Sequence, residues 1–459
     1  MINLISITIL FSSICFSQNI YKDSREEKLF KFNFFTDHSL QDFSLSNNPT
    51  WSDFYLNFNA NSLSNSDKVR FGISTKNYNY SLYTYQLVNF SKNIYSFLHA
   101  RLVSNISEFE NFNGLPKSVK RFGFESGEVI QSGLGYKNDW LMLQYGRGTQ
   151  NWGAGDDIVL SISNSSPSFD HFILNLKKNN YSFRFIHGFL ENIENHNRYI
   201  TGKIVEYYNR NNFRFSLSEV IIYSGINRGF DLSYLNPVSS HLEIEFNENG
   251  NIPGSDLGNA IWTFSLDYQI NKEFRLFLNL LIDELTIDQS ERNRNKANGL
   301  ASSFKIIFNP KRYESLYFSF SYVGVGTKTF RHRSGYGHGF NNFVYRNKPL
   351  GWKNGSDSQF FEFKINHKIN SRVLNQISFS LLEIGEETIT GEIYEPYQDY
   401  LVSSFPSGDI KRSFGCNISS DYFVRENLSY NLELDFYNIN SNSETSIYFN
   451  IDYYFNEKS

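Results

Sequence analysis

Two cysteines, two methionines and nine prolines in 459 residues leave several kinds of protein without material. The cysteines are Cys15 and Cys416. Cys15 lies in a leader that looks cleavable, so Cys416 becomes the one remaining thiol, which excludes an intrachain disulfide and any multi-cysteine metal site. After that leader no run approaches the ~20 apolar residues of a membrane-spanning helix. One-sided charge is lacking too, with a net charge of −4 and a pI near 6.2. A phosphate-binding surface needs clustered basic charge, so nucleic acid is not an expected partner. No GxSxG, HExxH or P-loop pattern occurs, so no enzyme activity and no cofactor are expected.

What is abundant is aromatic. Phe (45) and Tyr (30) raise the aromatic share to 17%, while the mean hydropathy is −0.42. A chain that is polar on average yet rich in aromatics must segregate the two classes. A membrane barrel does this by turning aromatics to lipid and polar groups to a wet lumen. A large soluble β-sandwich also can, so composition does not separate them.

The first residues, MINLISITILFSSICFSQ, hold an apolar stretch from Leu4 to Phe16 that is too short to span as a helix. They read as a secretory signal cleaved after Ser17. Lipidation at Cys15 is the alternative, but the bulky Ile14 before it does not suit that cleavage. A secreted, aromatic-rich chain without a spanning helix enters a membrane by closing a sheet, because open edges strand unpaired backbone groups in hydrocarbon.

Period-two alternation is the dominant pattern. Ile447, Phe449, Ile451, Tyr453 and Phe455 fall on one face, with Tyr448, Asn450, Asp452 and Tyr454 on the other. Leu428, Tyr430, Leu432, Leu434 and Phe436 oppose Ser429, Asn431, Glu433 and Asp435. Trp262, Phe264 and Leu266 oppose Thr263, Ser265 and Asp267, and Leu316, Phe318 and Phe320 follow the same rule. Greasy faces toward lipid and polar faces toward water fit a barrel. Arg184 and Arg214 must then face the lumen, since an Arg toward lipid at mid-depth costs roughly 2–4 kcal/mol.

Connections alternate as well. Short turns at Lys177–Asn180, Asn209–Asn212, Asn271–Glu273, Asn309–Glu314, Asn370–Asn375 and Val424–Asn427 interleave with long loops. The loops are Arg147–Asp170, Gly229–Asn259, Asp283–Gly299, Gly324–Ser358 and Gly385–Lys411. An up-and-down barrel with periplasmic turns and extracellular loops has this form, and a Greek key does not. Pro167, Pro237, Pro253, Pro310, Pro349, Pro396 and Pro406 all fall in connections, where no ladder N–H is lost. At ~22–28 residues per strand and connection, the mature length gives about 16 to 20 strands. The expected layout is a signal at 1–17, a periplasmic segment or first strand at 18–50, a barrel over 51–455 and a tail at 456–459. The first strand is expected to start between residues 25 and 55.

Gly146 to Asp170, GRGTQNWGAGDDIVLSISNSSPSFD, is the densest polar and glycine-rich stretch. Trp152 offers a flat apolar face to a sugar ring, and Asp156 and Asp157 can accept hydroxyl hydrogen bonds. The same residues equally suit a loop folded into the lumen, with Trp152 packed and the acids paired to lumen cations. Asp283, Glu284 and Asp288 form a carboxylate group of the kind glycoside cleavage uses, but any acid-rich barrel mouth supplies one. His332 and His338 match no metal-ligand spacing.

These stretches resemble the capsule assembly Wzi family of outer-membrane proteins. The family's Gly-Arg, Trp-Gly-Pro-Gly, Leu-x-Leu-Ser and Asn-x-x-Pro series is similar to Gly146-Arg147, Trp152-Gly153-Ala154-Gly155, Val159-Leu160-Ser161 and Asn164-Ser165-Ser166-Pro167, with Ala154 standing where the family has Pro. Further matches are Tyr234-Leu235-Asn236-Pro237, Asp256 to Ala260, Ile282-Asp283-Glu284 and Gly351 to Asp357. They run in the family's order over about residues 120 to 455. The resemblance implies an 18-stranded, largely occluded barrel acting as a surface lectin that anchors capsular or other extracellular polysaccharide. It makes Arg147, Trp152, Asp156, Asp157, Asn164, Asn236, Asp283 and Trp352 the candidate glycan contacts, lining or plugging the extracellular half of the lumen. The other expected partners are outer-membrane lipid and the barrel-assembly machinery, with the chain a monomer. A porin or sugar-uptake channel is the open alternative.

Overall fold

The computed structural model describes residues 68–456, apart from 77, 110–111, 113, 115, 210–211, 247–257, 286–288, 314, 333–339, 391–401, 403, 426–427 and 440–441. Alternating apolar and polar residues, punctuated by Asn- and Gly-rich turns, give strands throughout. In chain order they are β1 (Lys68–Lys76), β2 (Asn79–Asn89), β3 (Ile94–Val103), β4 (Ser126–Lys137), β5 (Leu141–Gly148), β6 (Phe169–Lys178), β7 (Tyr181–Ile193), β8 (His196–Tyr208), β9 (Phe213–Ile226) and β10 (Asn259–Gln269). They continue with β11 (Phe274–Glu284), β12 (Gly299–Phe308), β13 (Leu316–Val325), the two-residue pair β14 (Val344–Tyr345) and β15 (Lys348–Pro349), β16 (Ser358–Asn370), β17 (Val373–Ile384), β18 (Lys411–Arg425), β19 (Leu428–Ile439) and β20 (Asn442–Asn456). Two short helices, α1 (Leu232–Leu235) and α2 (His241–Phe246), lie between β9 and β10.

Setting aside the β14–β15 hairpin, 18 strands form one antiparallel sheet in which each pairs with its chain neighbour. The sheet closes where β1 meets β20, from Arg70↔Asn456 to Lys76↔Asn450. Closure is the condition for spanning hydrocarbon, since it leaves no edge of unpaired N–H and C=O groups. Both edges of β1 are taken, by β2 and β20, so it is the first strand of the sheet among the described residues. The expected start between residues 25 and 55 and the segment 18–50 lie outside the described residues.

Side chains divide as the alternation requires. Leu432 (45%), Phe449 (50%) and Phe264 (39%) are exposed on the outer face, and Phe318 is partly exposed there. Asp267 is fully buried on the inner face, where Arg275 grips it through two bonds of 2.8 Å. Arg184 and Arg214 are buried on the same side, Arg214 lying over the Tyr208 ring at 5.1 Å. Across β18–β20 the inner polar residues form a ladder in which Asn417 bonds Glu433, Asn431 bonds Asp421, and Asn450 bonds Asn431. Phe90, Trp140, Tyr181 and Tyr313 stand exposed at the rim of short turns, as an interfacial aromatic girdle does.

The long loops share the opposite rim, called here the loop rim. Their alternation with short turns is interrupted at β1–β2, β19–β20 and β7–β8, the last a two-residue hairpin turn of Glu194 (φ 50°) and Asn195 (φ 66°). One apolar core fills part of the lumen. A second, around Tyr199, Ile221, Tyr223, Tyr234 and Ile244, lies against the outer wall.

Leu432→Arg puts a cation on the outer face at a cost of about 2–4 kcal/mol and should block assembly. Glu433→Gln, on the inner face, should assemble normally. Heat-modifiable migration on gels checks both, and equal behaviour of the two variants would refute the facing.

Candidate functional site

The loop 149–168 turns inward rather than outward, and its sequence explains why. Trp152 is fully buried; its backbone N–H donates to Ile162 O at 3.0 Å and its indole Nε1 to Gln150 Oε1 at 3.3 Å. The ring packs against β8 at Gly202, where a Cβ would come within 2.9 Å of it. Ala154 reaches the far wall: its N–H donates to Asn279 Oδ1 at 2.8 Å, and Asn279 Nδ2 returns a bond to Ala154 O at 2.8 Å. Asn279 and Ser303 also bond Ile158 O. An asparagine side chain here imitates a backbone strand, and a proline at 154 would lack the N–H it uses.

At the loop's deep end Asp157 bridges Lys305 (2.8 Å) and Lys364 (3.0 Å). Burial opposes the carboxylate charge, but the two ammonium groups outweigh it and hold the group well below the usual carboxylate range. Because its folded pKa is depressed, this contact stabilises the folded state above the ordinary aspartate range. It is lost only as strong acid reaches the folded value. Asp156, half-buried with φ 63°, sits beside it.

A second loop, 326–357, lies over the first. Ser163 N donates to Leu350 O at 2.8 Å, and Gly351 comes so close that a Cβ would stand 2.0 Å from Leu160 O. Its far end is anchored on β8, where Arg198 donates to Phe340 O (2.5 Å), Asn342 O (2.7 Å) and Glu191. Asp357, fully buried, ties in a third loop by accepting from Thr327 Oγ1, Ser407 N, Ser407 Oγ and Glu387 N. Two loops thus cross the lumen as one interlocked plug, with a third tied to them at Asp357.

The expected glycan contacts scatter under this geometry. Trp152 and Trp352 (2% exposed) are packed inside the plug, so neither presents a ring face to a sugar. Asp157 is spent on two lysines at the plug's tip. Asp283 accepts the Phe330 N–H that starts the second loop, while Glu284 pairs with Lys328 at 2.9 Å. Neither acid is placed for glycoside chemistry; Asp288 and His338 lie outside the described residues. His332 N donates to Asn342, and no group of three metal-ligating side chains occurs among the described residues. Asn236 belongs to the β9–β10 connection, which packs on the outer wall, so it does not line the lumen.

Two of the eight remain accessible at the loop rim. Asn164 is exposed beside the β14–β15 hairpin. Arg147 shares the outer face with Tyr145 and holds Asp170 through bonds of 3.0 and 2.6 Å. The hairpin tip brings exposed Arg346 and Asn347 to the same edge, and the Arg346 charge reaches Asp170. The sequence reading missed Arg198, Asn279 and Asp357. Asn279 was the most accessible of them, a polar residue on the inner face between Leu278 and Leu280.

The fold is a closed 18-stranded antiparallel β-barrel, the architecture of outer-membrane proteins, whose lumen is crossed by its own loops. Among solved structures the chain is similar to Wzi of Escherichia coli, described as an outer-membrane protein involved in group 1 capsule assembly and a carbohydrate-binding β-barrel. Identity is 13%, the TM-score is 0.61, and the match covers 96% of this chain and 98% of that one, a likeness of fold. OprD of Pseudomonas aeruginosa matches at 10% identity and TM-score 0.48, over 85% of this chain and 94% of that one. OpdK of Pseudomonas aeruginosa matches at 9% and 0.47, over 85% and 97%; both are too distant to bear on function. No family model and no curated protein sequence matches the chain.

Asn279→Leu strips the Ala154 N–H and C=O of their partner, while Ile158 O keeps Ser303, and each buried group so left costs about 1–3 kcal/mol. Hydrogen exchange at the Ala154 amide should then quicken roughly tenfold or more. Unchanged protection would mean that the far-wall contact does not hold the loop.

Proposed function

We propose that the protein is a non-catalytic, lectin-like anchor that binds capsular or other extracellular polysaccharide at the cell surface. The observation that carries this reading is the interlocked plug. A diffusion channel needs a continuous aqueous path, and here two loops spend their polar groups on each other and on opposite walls, with a third tied to them at Asp357. Bacterial outer-membrane barrels keep short turns in the periplasm, so the loop rim faces outward from the cell. That rim carries exposed Asn164, Arg346 and Asn347 with the Arg147–Asp170 pair, groups able to donate to and accept from sugar hydroxyls and carboxylates. The carbohydrate binding described for Wzi is consistent with that ligand class. A shallow face suits a long polymer, because many weak contacts along one chain add up without a tight pocket.

In this reading Trp152, Trp352, Asp157 and Asp283 shape the rim from beneath, while Arg147 and Asn164 touch glycan directly. The monomer, inserted by the barrel-assembly machinery after loss of residues 1–17, suffices.

The test is the pair Asn164→Ala and Arg346→Glu, made together and checked for heat-modifiable barrels at the surface. Retention of polysaccharide by cells, or of purified polymer by the protein, should fall several-fold. Retention equal to the parent's would contradict the assignment of glycan contact to this edge.

A further inference from the structure

The outer wall carries a feature that an ordinary lipid-facing surface does not. Along the outward face of β8 and β9 the cross-strand pairs run Tyr207↔Phe215, Val205↔Leu217, Lys203↔Glu219, Thr201↔Ile221 and Tyr199↔Tyr223. Val205 (47%) and Leu217 (55%) are exposed to the surroundings. Lys203 and Glu219 lie on the same face one step further from the turns. A barrel strand crosses hydrocarbon in about 9–11 residues, so an ion pair four residues from Tyr207 stands within the membrane belt. Bare charges there are strongly disfavoured.

They are not bare. Lys203 Nζ meets Glu219 Oε2 at 2.7 Å, and Glu219 Oε1 accepts from His241 N (3.1 Å) and Trp262 Nε1 (2.9 Å). Lys203 Nζ also donates to Ser239 O. Ser239 and His241 belong to the β9–β10 connection, which therefore descends the outside of the barrel. Further contacts fix it there: Tyr234 stacks on Tyr223 at 4.4 Å and 11°, Thr201 donates to Tyr234 O, and Tyr199 and Asn197 donate to Arg228 O. The exposed side of this connection shows Leu232 (69%), Val238 (85%) and Leu242 (45%), while Phe230 packs on the Tyr199 and His187 rings of the wall at 5.2 Å.

We propose that residues 227–246 form a flap embedded in the lipid leaflet against the barrel wall. Acyl chains cover its apolar side, and the Lys203–Glu219 pair is the latch that holds it. Lipid is the occupant because Leu232, Val238 and Leu242 continue the exposed belt of Val205, Leu217 and Phe264. The latch also gives a reason for placing charge on that belt: each of the two charged side chains bonds the flap's backbone, Lys203 at Ser239 O and Glu219 at His241 N. The glycan reading is not needed for this inference.

The test uses the full chain with Cys15→Ser and Cys416→Ser, reconstituted in phosphatidylcholine vesicles. A nitroxide is attached at Val238→Cys, with Leu217→Cys as the lipid reference and Asn164→Cys as the aqueous one. Collision with oxygen, relative to collision with a water-soluble nickel chelate, should match Leu217 and exceed Asn164 several-fold. A ratio equal to that at Asn164 would put the flap in water and overturn the proposal. Low collision with both agents would mean that a second copy of the chain covers it, and would overturn it equally. Lys203→Leu with Glu219→Leu should then free the Val238 label and narrow its spectrum while the barrel stays heat-modifiable. An unchanged spectrum would remove the latch.

Discussion

Closure of the sheet is the constraint on which everything else rests. The β1–β20 ladder satisfies the last row of backbone groups, and without it neither strand could stand in hydrocarbon. Closure fixes the two faces of every strand, and thereby sends Asp267, Arg275, Asn279 and Lys305 into the lumen together. A lumen lined with such groups has two uses. It can stay wet and conduct, or it can receive a polypeptide that matches its donors and acceptors. This chain takes the second course, folding its own loops onto Asn279, Lys305 and Arg198.

The plug works by commitment of polar groups rather than by bulk alone. Asp357 takes four donors from two loops, and Asp157 takes two lysines from the walls. Apolar packing of Trp152, Phe330, Phe343 and Trp352 fills the space between these fixed points. Removing one partner leaves a buried group unmatched, so the plug and the rim above it behave as one body. A rigid rim presents its exposed side chains at constant spacing, which is what a repeating polymer can exploit.

Much of this was legible in the chain. Leu432 beside Glu433, and Phe264 beside Asp267, announce their faces because a strand's period is two. The interleaving of short turns with long loops gave the up-and-down topology, and the glycine-rich run around Trp152 marked the loop that enters the lumen. What sequence could not give is where a loop goes once it leaves a strand. Trp152 looks equally ready for a sugar or for Gly202, and only the partner 50 residues away decides. Asn236 was assigned to the lumen because its loop shares a rim with the plug loops. A signal against that was present: Lys203 and Glu219 share a face with Val205 and Leu217, and charges there call for a cover.

The central claim is that the loops make this barrel a surface binder and not a passage. Single-channel recording in planar lipid bilayers tests it most directly, using the purified full chain with confirmed barrel folding. The account predicts no stable conducting state for the parent protein, and the appearance of openings when Asp357→Ala and Asn279→Leu are combined to loosen the plug. Steady, large conductance of the unaltered protein would contradict it.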